Sequence, residues 1–237
     1  MSFRILARQI AEIGRAFHAR GWLLATSGNL SAVVSRDPFR LAITESGVDK
    51  GEMAEVHVLE INAEAELVRT PAGDGSAPGF RTGPSHDRRT VRDQARADGA
   101  AGAPKPSDES LLHIRIVRTR GAGAVLHTHS LWSTIVSEAC ARDGGVVIEG
   151  YEMLKALHGV KTHEHREWLP ILENAQDMAA LAERIERALT DNPGAHGFLL
   201  RGHGLYAWGE TLGQAKRHAE ALEFLLEAIG RSRDLAT

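Results

Sequence analysis

Two histidines two residues apart, His127 and His129, follow a short apolar run, Gly123 to Leu126, that reads as a buried strand. Alternate residues of an extended segment leave on one side, so both imidazoles can reach a single ion with little chain entropy left to lose. Alone, the pair also suits two strand-end histidines making ordinary hydrogen bonds. A third, His203, stands between Gly202 and Gly204 at the tip of an expected hairpin, where no apolar neighbour explains it. Flanking glycines permit unusual backbone angles and a close approach of the chain, although a turn histidine in water fits the same text. As a set, three imidazoles with an open fourth position are the donor arrangement of a catalytic zinc rather than a structural one.

Two carboxylates are placed to move protons. Glu109 falls in the first turn of an expected helix, directly before the strand that delivers the histidines, and Glu152 opens a short helix beyond them. Either could equally be a surface carboxylate at a helix start, where the helix dipole favours it. The loops Thr26-Ser27-Gly28-Asn29 and Ser46-Gly47, with Lys50 nearby, offer backbone N–H groups, hydroxyls and one cation, a chemistry that suits phosphate.

The elements that must position these groups follow from periodicity. Phe3, Leu6, Ile10, Ile13 and Phe17 recur at steps of three and four, which predicts an amphipathic helix ended by Gly21. Strands are expected at Leu30 to Ser35, Leu41 to Thr44, Val56 to Ile61, Val146 to Ile148 and Trp168 to Leu172, with a hairpin of Phe198 to Leu200 and Leu205 to Trp208. Helices are expected after an N-cap at Ser107, from Leu131 to Ala141, around Tyr151 to Leu157, from Met178 to Leu189, and from Thr211 onward. This is one layered α/β domain with a mixed sheet, lacking the regular βαβ repeat of a dinucleotide-binding fold. The stretch 70–105, rich in Gly, Pro, Ala, Arg and Asp, carries too little apolar surface to offset its ordering entropy. It is expected to be a mobile insertion, with an interaction role as the alternative.

Charge narrows the function. The 28 basic and 31 acidic side chains are interspersed, so neither a nucleic-acid footprint nor a membrane-binding patch is expected. Any phosphate must be held locally. The single cysteine, Cys140, excludes an intrachain disulfide and a cysteine-only zinc site. No apolar run approaches the roughly 20 residues that cross a bilayer. Arg4, Arg8, Glu12 and Arg15 interrupt the first helix, unlike a signal peptide, and a cytoplasmic protein is expected.

Five motifs, in this order, resemble those of the class II aldolase/adducin family. They are Thr26-Ser27-Gly28-Asn29, Thr44-Glu45-Ser46-Gly47, Pro106-Ser107-Asp108-Glu109 with Leu112-His113, His127-Thr128-His129-Ser130 and Arg201-Gly202-His203-Gly204. Two further stretches, Glu149 to Leu157 and Leu169 to Met178, are similar to the branch of that family that dehydrates a methylthio ketopentose phosphate in methionine salvage. The resemblance implies a class II aldolase fold with one zinc per subunit, held by His127, His129 and His203. It implies that Ser27, Gly28, Asn29, Ser46, Gly47 and Ser107 surround the substrate's phosphate. It also implies that Glu109 matches the acid/base of the aldolases and Glu152 that of the dehydratases. Asp108 departs from the family's small polar residue, and its charge weakens phosphate binding unless it turns away. A homotetramer with sites near subunit boundaries is implied as well. An aldolase that cleaves a ketose 1-phosphate uses the same metal chemistry and is the runner-up. A non-catalytic adducin-like scaffold has no reason to keep all three histidines and both glutamates.

Overall fold

The computed structural model of the protein describes residues 1–69 and 103–235, so all but the last three residues of the expected insertion lie outside the described part. The first apolar stripe forms α1 (Phe3–Ala19), which buries Phe3, Leu6, Ile10, Ile13 and Phe17 as its spacing predicts. Strands β1 (Asn29–Arg36), β2 (Phe39–Thr44) and β3 (Val58–Ile61) follow. Residues 55–57, which include the start of an expected strand, make a 3-10 turn instead, and an edge strand that periodicity does not predict, β4 (Leu67–Arg69), pairs with β3.

After the undescribed residues the chain resumes at residue 103, and α2 (Ser110–Arg120) leads to β5 (Ala124–Thr128) and α3 (Leu131–Ala139). Next come β6 (Gly145–Ile148), a 3-10 turn at Glu152–Ala156 where a short helix is expected, β7 (Glu167–Leu172) and α4 (Met178–Asp191). The hairpin of β8 (Gly197–Leu200) and β9 (Gly204–Gly209) precedes the last helix, α5 (Leu212–Leu235). Ser107 does not cap α2; Glu109 stands at the cap, while the Ser107 carbonyl accepts the N–H and hydroxyl of Ser110 at 3.0 and 2.6 Å. Ser107 thus heads a tight turn in which its own hydroxyl accepts from the Glu109 N–H at 3.3 Å and from Asn29 Nδ2 at 3.1 Å.

The strands form one mixed nine-stranded sheet in the order β4-β3-β2-β1-β5-β9-β8-β7-β6. Only β7 and β8, joined through α4, are parallel among the described strands. Strand alternation distributes β5 between two cores: Ala124 and Leu126 pack with α1, α3 and α5, while Val125 packs with α2 and α4. Leu126 and Val125 are fully buried, each contributing on the order of 2 kcal/mol. With helices on both faces, β5 is the rigid centre of the sheet, and its end carries the histidines.

Candidate metal centre

Register aligns the site. The β1–β5 pairing sets Asn29 opposite His127, and the β5–β9 pairing sets His127 opposite Tyr206, so the three lie in one row across three strands. Cross-strand neighbours share a face, and the His127 ring accordingly stacks on Tyr206 at 3.9 Å and 11°. Two glycines let the backbone close round this row. A Cβ at Gly28, whose φ is +66°, would stand 2.6 Å from the His127 carbonyl oxygen, and one at Gly204 only 2.0 Å from that of Thr128.

The Nε2 atoms of His127, His129 and His203 converge from this row and the hairpin tip. His129 lies 2.8 Å from His127 and 3.0 Å from His203, and His127 lies 3.3 Å from His203. The His127 Nδ1–H donates to the Leu205 carbonyl at 3.0 Å, which fixes the tautomer and leaves Nε2 a bare lone pair. Burial first, and the neighbouring rings second, push His127 well below its ordinary pKa and His129 down to about 3; burial lowers His203 despite the Glu109 carboxylate beside it. Neutral rings are the form that ligates. Three lone pairs aimed at one another repel unless a cation lies among them, so the donor set fits a divalent metal. Among the described residues this is the one group of three or more such side chains close enough to share an ion.

Helix α3 grips the tip that carries His203. Thr134 Oγ1 donates to the His203 carbonyl at 3.2 Å, Ser137 Oγ accepts the Gly202 N–H at 3.0 Å, and Arg201 pairs with Glu138 at 2.7 Å. A trio gathered from segments far apart in sequence is thereby held by packed secondary structure rather than by loose turns.

Glu109 completes the centre. Its Oε2 lies 3.6 Å from His127 Nε2 and its Oε1 3.5 Å from His203 Nε2. Asn29 Nδ2 donates to Oε2 at 2.5 Å and to Ser107 Oγ at 3.1 Å. Glu152 is not part of this network. It is exposed and paired with Lys155 and with His163 at 3.5 Å, and the Lys155 ammonium holds its carboxyl below the usual range.

The expected phosphate loops come together beside the trio. Lys50, buried, donates from Nζ to the Thr26 carbonyl at 3.3 Å and to that of Val48 at 2.9 Å, tying the two loops, and burial pulls its pKa down to about 8. Glu45 bridges to Pro106, and the Ser46 N–H donates to the Lys105 carbonyl at 3.0 Å, which brings Ser107 to the same edge. The Ser27 hydroxyl is buried with no hydrogen-bond partner among the described residues. Ser46 and Gly47 are exposed, and Gly47 has φ +75°. Asp108 turns outward and pairs with Lys105 at 2.6 Å, so its charge does not burden the loops.

Three contributors are not among the residues to which the sequence assigns a role. Tyr206 is fully buried behind His127, and burial with the neighbouring Glu109 raises its pKa well above the ordinary value. His113 touches Asn29. Glu223, buried in α5, accepts from Thr128 and Ser130 behind the His127–His129 turn, and burial raises it to about 7 despite those bonds. The available signal was a charged residue inside the apolar stripe Leu222, Leu225, Leu226.

Comparison with known proteins bears on this geometry. The sequence profile of the Class II Aldolase and Adducin N-terminal domain matches residues 8–229. The methylthioribulose-1-phosphate dehydratase of Sorangium cellulosum (strain So ce56) is 37% identical over 227 residues, 95% of this chain and 92% of that protein. The methylthioribulose-1-phosphate dehydratase of Acidiphilium cryptum (strain JF-5) is 39% identical over 221 residues, 93% and 87% of the two chains. Among solved structures, L-fuculose-1-phosphate aldolase from Thermus thermophilus superposes with a TM-score of 0.66 at 21% identity, covering 99% of this chain and 96% of that one. YgbL from Klebsiella pneumoniae, a putative aldolase/epimerase/decarboxylase, superposes with a TM-score of 0.69 at 21% identity, covering 98% and 91%. At such identities the structural likeness extends to the fold, which is the class II aldolase fold expected.

Proposed function

The chain belongs to the class II aldolase and adducin family, and we propose that within it the protein is a zinc-dependent dehydratase of 5-methylthioribulose 1-phosphate, a cytoplasmic homotetramer of the methionine salvage route. The observation that carries the reading is Glu109: both its oxygens stand beside the point where three imidazoles converge, one of them tied by Asn29 and the other not. A base fixed beside a metal position suits removal of a proton next to a carbonyl. The choice of dehydration over C–C cleavage rests on the relatives, whose shared name describes loss of water.

The substrate carries a phosphate on C1, a ketone at C2, hydroxyls at C3 and C4, and a methylthio group on C5. His127, His129 and His203 would hold the ion, and zinc there would supply Lewis acidity that eases proton loss next to the ketone. Three imidazoles also accept iron or nickel, and metal analysis of the purified protein distinguishes them. Ser27, Gly28, Asn29, Ser46, Gly47 and Ser107 bind the phosphate, with Lys50 supplying charge. Glu109 Oε1 accepts the C3 proton. Glu152 returns a proton to the C4 hydroxyl, which leaves as water, and the enol rearranges to the 2,3-diketone. In the single chain Glu152 is exposed and paired with Lys155 and His163, so the acid role assigned to it here requires the proposed tetramer to bring it to a neighbouring subunit's site. Burial there would raise its pKa, as an acid requires.

The test is to incubate the zinc-loaded protein with methylthioribulose 1-phosphate and follow products by mass, with Glu109→Gln and Glu152→Gln alongside. Loss of one water, reduced about 10²–10⁴-fold in each variant, is expected. Two carbonyl fragments would move the protein to the aldolases; no turnover with metal bound would mean the substrate is wrong.

A further inference from the structure

A buried chain of hydrogen bonds runs behind Glu109, and its direction is forced. An ionised carboxylate only accepts, so Asn29 must turn its amide Nδ2 toward Glu109 Oε2, at 2.5 Å. The Asn29 carbonyl oxygen is then the atom that meets His113 Nε2, which must carry the ring's proton. His113 is fully buried, and burial lowers its pKa to about 4 against the opposing pull of Glu109, so the ring is neutral. Its Nδ1 is consequently bare and accepts from the Ser31 hydroxyl at 2.7 Å, while the competing Val125 carbonyl stands 3.5 Å from the same oxygen. The opposite polarity would set the Asn29 oxygen against a carboxylate in a buried space, a costly arrangement.

We propose that His113, keyed by Ser31, is a positioning residue that acts through Asn29 to decide which way the Glu109 carboxylate faces. Oε2 is pinned beside His127 Nε2 at 3.6 Å, and Oε1, 3.5 Å from His203 Nε2 and without a bond to Asn29, is left as the proton acceptor. The ring sets tautomer and orientation without touching substrate or metal. The assignment rests on the reading of Glu109 as base.

Two measurements test it. ¹⁵N-histidine NMR of the native enzyme should show His113 as the neutral tautomer protonated on Nε2; protonation on Nδ1 would overturn the relay whatever the reaction proves to be. In steady-state kinetics, His113→Phe should lower kcat on the order of 10²-fold, the cost of a misplaced catalytic group, with KM changed by less than about threefold and metal content full. His113→Gln, which can still offer an N–H to Asn29, should recover at least about tenfold of that loss. A kcat within about threefold of native in His113→Phe, a loss that follows metal content, or a Gln variant no better than Phe would each sink the proposal. Should His113→Phe fail to fold, Ser31→Ala carries the kinetic arm, with roughly a threefold to tenfold loss of kcat expected and an unchanged rate overturning it. Glu109→Gln at full activity would instead remove the reading of Glu109, and the tautomer alone would then decide the relay.

Discussion

The β8–β9 hairpin has a histidine cluster at each end, and the two differ in what their ring nitrogens meet. At the tip, three Nε2 atoms face one another within 2.8 to 3.3 Å. At the other end, beside a cavity of about 460 Å³ lined by His158, His165, His196 and His218, every nitrogen that makes a hydrogen bond meets a carboxylate, a carbonyl or a backbone N–H. His196 contacts Glu167 through Nδ1 at 3.0 Å and the His158 carbonyl through Nε2 at 2.9 Å, so both nitrogens donate and the ring is a cation. His165 donates to Glu167 Oε2 at 2.8 Å, an oxygen it shares with His196 Nδ1. His218 donates to the Trp208 carbonyl at 2.7 Å and accepts the His158 N–H at 3.0 Å. Histidine density is therefore a poor guide to chemistry. The informative feature is convergence of lone pairs with no proton between them.

The sharpest way to break this contrast is to remove one ring from the tip. His129→Ala should empty the metal site and abolish turnover, read by metal content and product mass; a variant that still binds one ion per subunit would mean that the ligands lie elsewhere. The opposite end should respond in stability alone. Glu167→Gln leaves the His196 cation without its buried counter-charge and should cost on the order of 3 kcal/mol in denaturant unfolding, with metal content and kcat at 25 °C intact. Loss of metal in that variant would show that the two clusters are coupled.

The smallest effect is in pH. Burial opposes the charge on His196, but the bonds to Glu167 prevail and raise its pKa above 6.5; Glu167 is lowered below 4.5 by both histidines in spite of burial. A raised histidine stabilises fully below its unfolded pKa and loses that contribution as pH rises through the folded value. A lowered carboxylate stabilises above its unfolded pKa and loses it as pH falls through the folded one. This cluster should therefore contribute most between about pH 4.5 and 6.5, and the native protein, but not Glu167→Gln, should lose part of that increment above that range. Parallel pH profiles of unfolding for the two proteins would exclude the cationic His196.

Much of this was legible in the sequence, for identifiable reasons. The stripe from Phe3 to Phe17, the strand before His127 and the Gly202-His203-Gly204 tip each follow from local periodicity or turn chemistry, and all three appear where expected. The departures arise where tertiary pairing decides. Residues 67–69 become a strand because β3 offers an edge, and Ser107 gives up the cap because its hydroxyl is drawn toward Asn29. Register was not legible either: nothing local says that Asn29, His127 and Tyr206 share a row, so the relay through His113 and the stacking under His127 emerge only when the strands pair.

Two members of the trio, His129 and His203, lie 74 residues apart in the chain. An ion shared between them works as a reversible cross-link. Closing a loop of that length in the unfolded ensemble is worth roughly 4 kcal/mol by the reasoning applied to disulfides, and occupancy adds stability through ligand linkage. Chelation would therefore take away a clasp as well as a Lewis acid. Resistance to proteolysis would then record metal supply, and a subunit starved of its ion would become a substrate for degradation before it persisted as an idle enzyme.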